Sequence, residues 1–420
     1  MNELKGFLFE GANETPVVII YASKITSRLR YVCKFIFNQG LLCNYSLTDN
    51  ENEFLSSKLA RLNYSTKNFE NAVNIYPQGL LENGAMQKPV LDPKQKGFDL
   101  FSAIFFFICR LEEWVDAEKD EHGRSETEFT DEPLIDKWII DLRKLLEKQN
   151  VKFPEKKFRY ISTIDVDNVF AYKAKPFYRQ IGGMLKDLKN FVPRIKTIFF
   201  GAKDPFDAYE LQTELSKKYN VPLIYFFLYR NNTKYDRTID PNHPEFIKLL
   251  NYLKDQKIEF GLHPSYYSSI DDTLLNKEIE LLSNNSGKKI ICSRQHFLRF
   301  NIRTTPKELI KAGIRYDFTM GFADWVGYKA GTTLPFYYYD IAAESELDLL
   351  TVPFEIMDGA FYFNDKIMAF EAYNNILKMA EEVKAVNGLF VTCMHDRGFS
   401  DSIAPGWKDL YIKLHENLKN

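Results

Sequence analysis

Residues 159–168, RYISTIDVDN, open the part of the chain that decides the fold. The first seven of these residues predict a β-strand at 159–165. From there to the C-terminus, short apolar runs alternate with amphipathic helical patterns over about 260 residues. Alternation of this kind predicts βα units around a parallel sheet, which is either open or closed into a barrel.

The later elements of this alternation follow the same pattern. Further strands are predicted at residues 222–229, 259–262, 289–293, 315–319, 349–356 and 389–393. Helices are predicted at residues 205–219, 244–256, 273–284 and 365–385, with a short helix that Thr305 caps and a last helix at the C-terminus.

The first 150 residues are less regular. A strand is predicted at 17–22, a helix at 26–38 that Gly40 is suited to end, and a weak strand at 72–76. Residues 98–115 predict a buried helix, because they are apolar nearly all round.

The change of pattern also predicts a domain boundary. After a polar loop at 116–132, residues 133–149 show the spacing of an amphipathic helix. The stretch that follows contains Pro154, which ends this helix. We therefore predict an N-terminal α/β domain of unknown role at 1–150, a boundary between residues 150 and 157, and a second domain at 158–420.

Composition excludes several classes of protein. Hydrophobic residues make up 45% of the chain and charged residues 27%, which excludes a disordered or collagen-like chain. The 55 Lys and Arg residues against 57 Asp and Glu residues give a net charge of -2. Proteins that hold nucleic acid through its phosphates usually carry a basic excess, so we expect no nucleic-acid partner. The sequence does not indicate the oligomeric state.

Cysteine usage and hydropathy bear on the compartment. Five widely spaced cysteines form no CxxC motif, which argues against both a disulfide framework and a cysteine zinc site. The first residues lack the apolar core of a signal peptide, and the strongest apolar run, at 101–109, is about half a membrane span. We predict a protein without a membrane span in a reducing, cytoplasmic location.

The chemically reactive side chains lie close to the ends of predicted strands. Asp165 and Asp167 close one strand, and His263, His296 and His395 each follow another by at most a few residues. The carboxyl ends of parallel strands meet at one face, where active sites lie. We therefore predict that these five residues meet and supply a metal site with an acid–base pair.

Each residue alone also has a purely structural interpretation. An Asp after a strand often caps a helix or stabilises a turn, and a single His after a strand is more often structural than catalytic. Arg294 and Arg299 could simply pair with carboxylates. The glycines at 321–331 lack the order of a phosphate-binding loop, and no GxSxG or Cys–His–Asn pattern supports a serine or cysteine hydrolase.

Five motifs together carry a resemblance to a known family. They are TIDVDN (163–168), GLHPSY (261–266), SRQHFLRF (293–300), MGFADWVGYKAGT (320–332) and VTCMH (391–395). In this order and spacing, residues 158–420 resemble the polysaccharide deacetylase family, carbohydrate esterase family four. More narrowly, the chain resembles a bacterial subgroup with an extra, uncharacterised N-terminal domain, which implies no activity for that domain.

The resemblance implies a fold, a cofactor and residue roles. The fold is a distorted (β/α) barrel of the polysaccharide deacetylase type, and the cofactor is a divalent metal, often zinc. Asp165 matches the catalytic base, which Arg294 steadies, and His395 matches the histidine that protonates the leaving amine. Asp167 and His263 match two metal ligands.

The sequence departs from the family pattern at the third ligand. Tyr267 stands where the family has the second histidine of its His-x-x-x-His spacing, and tyrosine is a poor zinc ligand at neutral pH. Either His296 supplies the third ligand from the next strand, or the metal binds weakly, or the site is degenerate. The Asp-x-Asp spacing also differs from the more usual adjacent pair.

These residues predict metal-dependent removal of an N-acetyl group from a glycan or another amino-sugar-containing substrate. Tyr266, Trp325 and Tyr328 are candidates for the sugar-facing wall, although core packing is the alternative for each. A non-catalytic glycan-binding or scaffolding module with a degenerate metal site is the alternative function. A metal-independent glycosidase that uses Asp165 and Asp324 is a third hypothesis.

Overall fold

The computed structural model describes residues 13–115, 118–125, 130–176, 191–229, 233–365 and 367–419, together with Gly6 and Leu8. These residues form a mixed α/β protein with two sheets, each built mainly from parallel strands. Within this described part, no helix has both the length and the apolar character needed to cross a membrane.

The smaller sheet lies in the N-terminal half. Its strands are β1 (Asn13–Ala22), β2 (Cys43–Thr48), β3 (Ala60–Tyr64) and β4 (Val73–Ile75), all parallel, in the order β2-β1-β3-β4. The predicted strands at 17–22 and 72–76 correspond to β1 and β4. Sequence analysis missed β2 because its four central residues are only partly buried, and it missed β3 because Arg61 and Asn63 interrupt its apolar pattern.

Among the described residues of this half, five helices and one π-helical segment accompany the sheet. Their bounds are Ser27–Cys33, the π-helix Lys34–Gly40, Glu51–Ser56, Leu100–Ile108, Leu111–Trp114 and Leu134–Glu147. Gly40 ends the first helical segment, as predicted. The predicted helix at 98–115 is broken, because Arg110 adopts a left-handed conformation with φ of 50° and separates two shorter helices.

The larger sheet has nine strands. They are β5 (Arg159–Val166), β6 (Leu223–Leu228), β7 (Glu259–His263), β8 (Cys292–Ser293), β9 (Tyr316–Asp317), β10 (Phe336–Asp340), β11 (Ser345–Thr351), β12 (Ile356–Met357) and β13 (Leu389–His395). Their order is β10-β11-β9-β8-β7-β6-β5-β13-β12, and only the β10–β11 pair is antiparallel among these described strands.

The larger sheet differs from the predicted barrel in two respects. The described strands show no ladder between the end strands β10 and β12, so the hydrogen-bonded sheet is open rather than closed. The predicted strand at 349–356 is two strands, β11 and β12, which lie in different parts of the sheet. The predicted parallel α/β architecture is confirmed at this coarser level.

Helices and short turns connect the strands of the larger sheet. The helices are Phe191–Phe200, Tyr209–Tyr219, Pro244–Asp255, Asp272–Ser286, Thr305–Lys311, Ala369–Ala385 and Trp407–Asn417. Short 3₁₀ segments cover Tyr266–Ile270, His296–Leu298 and Asp396–Phe399, and a π-helical segment covers Ala360–Asp365. All three 3₁₀ segments begin within three residues of a strand end.

Side chains of the central strands alternate between two faces. On β5, Tyr160 and Ile164 belong to the large core shared with the helices, whereas Ile161 belongs to a second cluster on the inner face. β13 repeats the pattern, with Phe390 in the large core and Val391 and Cys393 in the inner cluster. Burial on both faces explains why these parallel strands are almost continuously apolar.

One hydrophobic core runs through both halves of the chain. The buried residues of the first sheet, such as Val18 and Leu62, belong to the same cluster as Phe336 and Leu349 of the larger sheet. Backbone hydrogen bonds also cross between the halves, from Ile135 N–H to the Gly331 carbonyl at 2.9 Å. The division into two domains near 150–157 stays a prediction, and the two halves pack against each other.

A buried ion pair joins the two halves. The Arg28 side chain is fully buried, and its Nε and Nη2 donate to the two carboxylate oxygens of Glu344 at 2.9 and 2.6 Å. Its Nη1 donates to the Leu80 carbonyl at 2.9 Å. Glu344 also accepts from the Gly84 N–H at 2.8 Å. The positive charge of the Arg28 guanidinium is thus paired with a carboxylate only when both halves are folded together.

We predict that Arg28→Ala lowers the free energy of unfolding by about 3–5 kcal/mol, because removing one partner of a buried ion pair leaves the other uncompensated. Chemical denaturation followed by circular dichroism measures this change. Lys24→Ala is the matched control, since the Lys24–Glu82 ion pair is more than 60% exposed on both sides and should contribute little. Equal stability of both variants would show that the pair does not hold the halves together.

Candidate metal centre and active site

The two aspartates of the first motif share one face of β5. Strand side chains alternate with a period of two, so residues 161, 163, 165 and 167 point the same way. Ile161 lies in the inner cluster, and both Asp165 and Asp167 line the same cleft. The Asp-x-Asp spacing therefore places two carboxylates side by side, where an adjacent pair on a regular strand would point to opposite faces.

A glycine lets β7 and β8 approach closely. A Cβ atom on Gly261 would lie 2.2 Å from the Cys292 carbonyl oxygen, so no larger residue fits. Leu262 pairs with Ser293 in this ladder, and the Arg294 N–H donates to the Leu262 carbonyl at 3.1 Å. The close approach brings His263 at the end of β7 next to Arg294.

Asp165 is buried against Arg294. The Arg294 Nη1 donates to Asp165 Oδ1 at 2.8 Å, and the Cys393 thiol contacts Oδ2 at 3.3 Å. Burial alone would raise the pKa of the Asp165 carboxyl group, but the positive charge of Arg294, together with His263 and His395, outweighs it and lowers this pKa. The carboxylate is therefore ionised at neutral pH, as a general base requires.

Three side chains gather as a candidate metal centre. The Nε2 atoms of His263 and His296 each lie 3.6 Å from Asp167 Oδ1. The possible ligand atoms of the three residues all lie within 4.8 Å of one another, and all three residues are buried. Two imidazoles and one carboxylate are a common zinc-binding set.

The remaining ring nitrogens fix the orientation of both imidazoles. His263 Nδ1–H donates to the Arg294 carbonyl at 2.6 Å, and His296 Nδ1–H donates to Asp236 Oδ1 at 3.0 Å. In both rings the Nε2 lone pair then faces Asp167. Metal-binding histidines are usually held through their second nitrogen in this way.

The donor atoms fit a cation. Asp167 Oδ1 is buried and has no hydrogen-bond partner among the described residues. An unpaired buried carboxylate oxygen is costly unless a positive charge approaches it. Burial lowers the pKa of His263 to about 4, so this imidazole is neutral and its Nε2 can bind a metal.

A strained turn presents His296 to this centre. In the 3₁₀ segment His296–Leu298, Phe297 and Leu298 both have positive φ values, 57° and 52°. Left-handed conformations of non-glycine residues cost on the order of 1 kcal/mol each and concentrate at functional sites. The turn directs both His296 and Phe297 into the cleft.

Arg397 also contacts the centre. Its Nη2 pairs closely with Asp167 Oδ2, the oxygen that does not face the two imidazoles. The pKa of Asp167 is lowered because the charges of Arg397 and the nearby histidines outweigh burial, which alone would raise it. One oxygen of Asp167 thus contacts a guanidinium while the other faces the imidazoles.

His395 forms a second pair, with Asp358. His395 Nδ1–H donates to Asp358 Oδ1 at 2.6 Å, and the His395 backbone N–H donates to Oδ2 at 2.8 Å. Burial would lower the pKa of His395, but the Asp358 carboxylate raises it to about 9. The imidazole is therefore protonated at neutral pH and can act as an acid.

These groups surround a cleft of about 230 Å³. Its lining includes all five predicted acid, base and ligand residues: Asp165, Asp167, His263, His296 and His395. Register explains part of this convergence, since His395 of β13 lies opposite Asp165 of β5 in the parallel ladder. Arg294 does not line the cleft and acts behind Asp165.

The three predicted sugar-facing residues, Tyr266, Trp325 and Tyr328, are not among the residues that line this cleft, and their contact with a sugar stays a prediction. Tyr328 is 1% exposed and packs in the core, and Tyr266 is 6% exposed under Arg299. Neither residue lines the cleft described here, because their rings fill space beneath the surface.

Trp325 is 50% exposed beside Asp324, which lines the cleft and pairs with Arg124 at 2.9 Å. Tyr267 is partly exposed and lies outside the three-residue ligand group.

Sequence analysis missed several residues of this site. Asp236 and Asp358 orient the two histidines from positions that match no quoted motif, and Arg397 follows the last motif by two residues. Arg124 reaches the cleft from the N-terminal half, within a stretch predicted only as a polar loop. The sequence offers one signal, since Asp358 immediately follows a short strand, β12.

Comparison with known proteins gives a family of unknown function and distant structures. A model of a family of unknown function, DUF7033, matches residues 18–151, about a third of the chain. No curated protein matches the sequence significantly. Nothing in these two comparisons assigns an activity.

Solved structures of the polysaccharide deacetylase type are similar to this chain. A polysaccharide deacetylase-like protein from Mycobacterium smegmatis is 16% identical, with a TM-score of 0.43 over 64% of this chain and 86% of that one. The polysaccharide deacetylase Bc1974 from Bacillus cereus is 13% identical, with a TM-score of 0.31 over 63% and 89%. A CE4 family pseudoenzyme from Bacillus anthracis is 13% identical, with a TM-score of 0.32 over 62% of each chain.

We predict that His296→Ala lowers zinc affinity by several orders of magnitude, because a direct ligand is lost. If His296 only positioned another group, the loss would be roughly 10–100-fold. Titration of the metal-free protein by calorimetry measures this. His243→Ala is the control, since His243 caps the start of the helix Pro244–Asp255, does not line the cleft and is not in the ligand group. Unchanged zinc affinity in His296→Ala would exclude a ligand role.

Proposed function

We propose that this protein is a metal-dependent hydrolase that removes an N-acetyl group from a glycan or another amino-sugar-containing substrate. The observation that carries the proposal is the meeting of three groups in one cleft: a His–His–Asp ligand set, an ionised buried carboxylate and a protonated imidazole. Metal-assisted amide hydrolysis uses all three functions: a cation, a general base and a general acid.

The proposed cofactor is zinc, held by Asp167, His263 and His296. This donor set is typical of catalytic zinc sites, which keep one position open for water. When bound, the cation supplies Lewis-acid polarisation of the amide carbonyl and lowers the pKa of a bound water. The motif match of Asp165, Arg294 and His395 to the polysaccharide deacetylase family supports the same reading.

In the proposed reaction, Asp165 accepts a proton from a water molecule while the oxygen of that water attacks the acetyl carbon. Arg294 keeps this carboxylate charged and fixed at Oδ1, which leaves Oδ2 beside the ligand imidazoles, 3.9 Å from His263 Nε2. His395 then donates its proton to the departing nitrogen as the C–N bond breaks. The products are acetate and a free amine.

Neighbouring charges shift the pKa values of Asp165 and His395 in opposite directions and so assign the roles of base and acid. Asp165 has a lowered pKa and His395 a raised one, so the base is unprotonated and the acid protonated over the same pH range. Enzymes often separate the pKa values of paired catalytic groups in this way. Asp358 holds the acid without touching the substrate, which makes it a positioning residue.

The proposal also includes the predictions about source, compartment and domain bounds that were made from the sequence. We propose a bacterial, cytoplasmic enzyme with a barrel-like catalytic domain at 158–420 and an N-terminal domain at 1–150. We propose that the N-terminal half takes a direct part in the site, because its Arg124 lines the cleft and pairs with Asp324. Trp325 is the remaining candidate for contact with the sugar, since its ring is half exposed beside this pair.

A second function is favoured by Arg397. Its guanidinium contacts Asp167, so a positive charge already stands at the proposed metal ligand. This arrangement suits a non-catalytic glycan-binding module whose metal site is degenerate. Metal stoichiometry separates the two functions, because about one zinc per chain supports the enzyme and no zinc at micromolar concentration supports the module.

We predict that Asp165→Asn abolishes release of acetate from N-acetylated chitooligosaccharides or peptidoglycan fragments and leaves zinc content unchanged. The amide cannot accept the water proton, yet Asp165 is not among the three proposed ligands. Acetate assay and elemental analysis of the same preparation measure both effects. Loss of zinc from Asp165→Asn would mean that Asp165 is a ligand and that the roles of the two aspartates are exchanged.

We predict that Asp358→Asn moves the alkaline limit of activity to lower pH. In the native protein Asp358 raises the pKa of His395 to about 9, so the acid stays protonated up to that pH. Without this carboxylate, the largest effect that raises the pKa of His395 is lost while burial still lowers it, so this pKa falls. The pH dependence of kcat/KM measures the shift. An unchanged alkaline limit with reduced kcat would indicate a purely structural role.

A further inference from the structure

The helix Phe191–Phe200 exposes apolar side chains to water and buries polar ones. Phe199 is 65% exposed and Phe200 78%, whereas Arg194 and Thr197 on the same helix are buried. The Arg194 guanidinium lies 4.5 Å from the centre of the Tyr172 ring. In a water-facing helix the apolar side chains pack inward and the arginine points outward, so this orientation exposes apolar area that folding normally removes from water.

The described contacts hold this orientation in place. Ile198 packs on a small cluster of Ala171, Tyr172 and Phe206. Asp204 accepts hydrogen bonds from the backbone N–H groups of residues 171–173 at 2.7–3.0 Å. Residues 171–173 are thus fixed by Asp204, and the helix is anchored through Ile198 while Phe199 and Phe200 stay exposed.

The exposed apolar area extends onto neighbouring segments. Pro193, at the start of the helix, lines a groove of about 350 Å³ together with Ser400, Ser402 and Lys408. Ile403, which follows this turn, is 45% exposed. Gly406 lies close to Ala369, whose neighbours Met368 and Phe370 are 73% and 74% exposed.

The described part of this region carries an excess of positive charge. Residues 171–176 and 191–203 contain five Lys and Arg residues and no Asp or Glu, in a chain whose net charge is -2. Lys196 is exposed on the helix, and Lys203 and Lys408 line the groove. The acidic residues of the same groove are Asp204, which binds backbone N–H groups, Asp207 and Asp401.

We propose that this docking face, formed by the helix Phe191–Phe200, the groove beside it and Ile403, binds the surface of an anionic lipid bilayer. Aromatic side chains surrounded by lysines are what the interface of such a bilayer accepts: the rings enter the acyl boundary and the lysines meet the headgroups. A protein partner is less well matched, because the cores of protein interfaces are depleted in lysine.

The docking face lies at the same edge of the larger sheet as the cleft. Residues 171–173, which Asp204 fixes, follow Asp167 by a few residues, and Ser400–Ser402 follow His395 similarly. A bilayer bound there would bring its headgroup region next to the candidate active site. The inference concerns binding and holds whether or not the cleft is catalytic.

Co-sedimentation of the full-length protein with vesicles tests the proposal. We expect binding to vesicles of phosphatidylcholine with 30% phosphatidylglycerol, at least tenfold weaker binding to pure phosphatidylcholine, and a decline with added NaCl because salt screens the charges. Phe199→Ser/Phe200→Ser should weaken binding to the anionic vesicles at least tenfold, since two apolar rings no longer enter the bilayer. Lys196→Glu/Lys203→Glu should act similarly.

A matched variant and three outcomes complete the experiment. Leu145→Ser/Lys248→Glu alters a leucine that is 44% exposed and an exposed lysine elsewhere, and should bind like the native protein. Binding that is unchanged in Phe199→Ser/Phe200→Ser would overturn the proposal. So would a dimer that this variant abolishes in light scattering, which would assign the face to a second copy. If the native protein does not bind vesicles and Phe199→Ser/Phe200→Ser has a lower melting temperature, the chain itself covers the face, and the proposal is overturned.

Discussion

A single guanidinium, that of Arg294, connects the parts of the candidate site. It is fully buried, lies about 5 Å from the ring centres of Phe226 and Phe354, and donates from Nε to the Phe318 carbonyl at 2.8 Å. A charge in such surroundings needs a partner, and Asp165 supplies it. The carboxylate is kept ionised by the same contact that makes burial of the arginine tolerable.

The backbone of Arg294 has a separate effect on the site. Its carbonyl oxygen accepts the Nδ1–H of His263 and so turns the other ring nitrogen towards Asp167. One residue therefore sets the protonation state of the proposed base through its side chain and the tautomer of a proposed ligand through its main chain. Both effects require the close approach of β7 and β8 that Gly261 permits. A small change in strand spacing would disturb acid–base chemistry and metal binding together.

Much of the site could be predicted from the sequence because parallel strands end at one edge. Asp165, Asp167, His263, His296 and His395 were predicted to meet from their positions after strands, and the structure brings them into one cleft. Their catalytic and ligand roles remain predictions. Asp236, Asp358 and Arg397 were not predicted, since they contact the histidines and Asp167 across 37 to 230 residues of sequence separation and lie in none of the five motifs. Tyr266 and Tyr328 are buried and do not line the cleft, which agrees with the alternative of core packing, and their contact with a sugar stays a prediction.

The ion pair of Arg28 with Glu344 has a consequence for synthesis of the chain. The two residues are 316 positions apart. At roughly 5–20 residues per second, a ribosome needs roughly 15–60 s to reach Glu344 after it has made Arg28. During that interval Arg28 lacks its carboxylate partner, and the apolar surface that packs on the C-terminal half is uncovered. Nascent chains of this protein should therefore be clients of ribosome-associated chaperones until Glu344 has been synthesised.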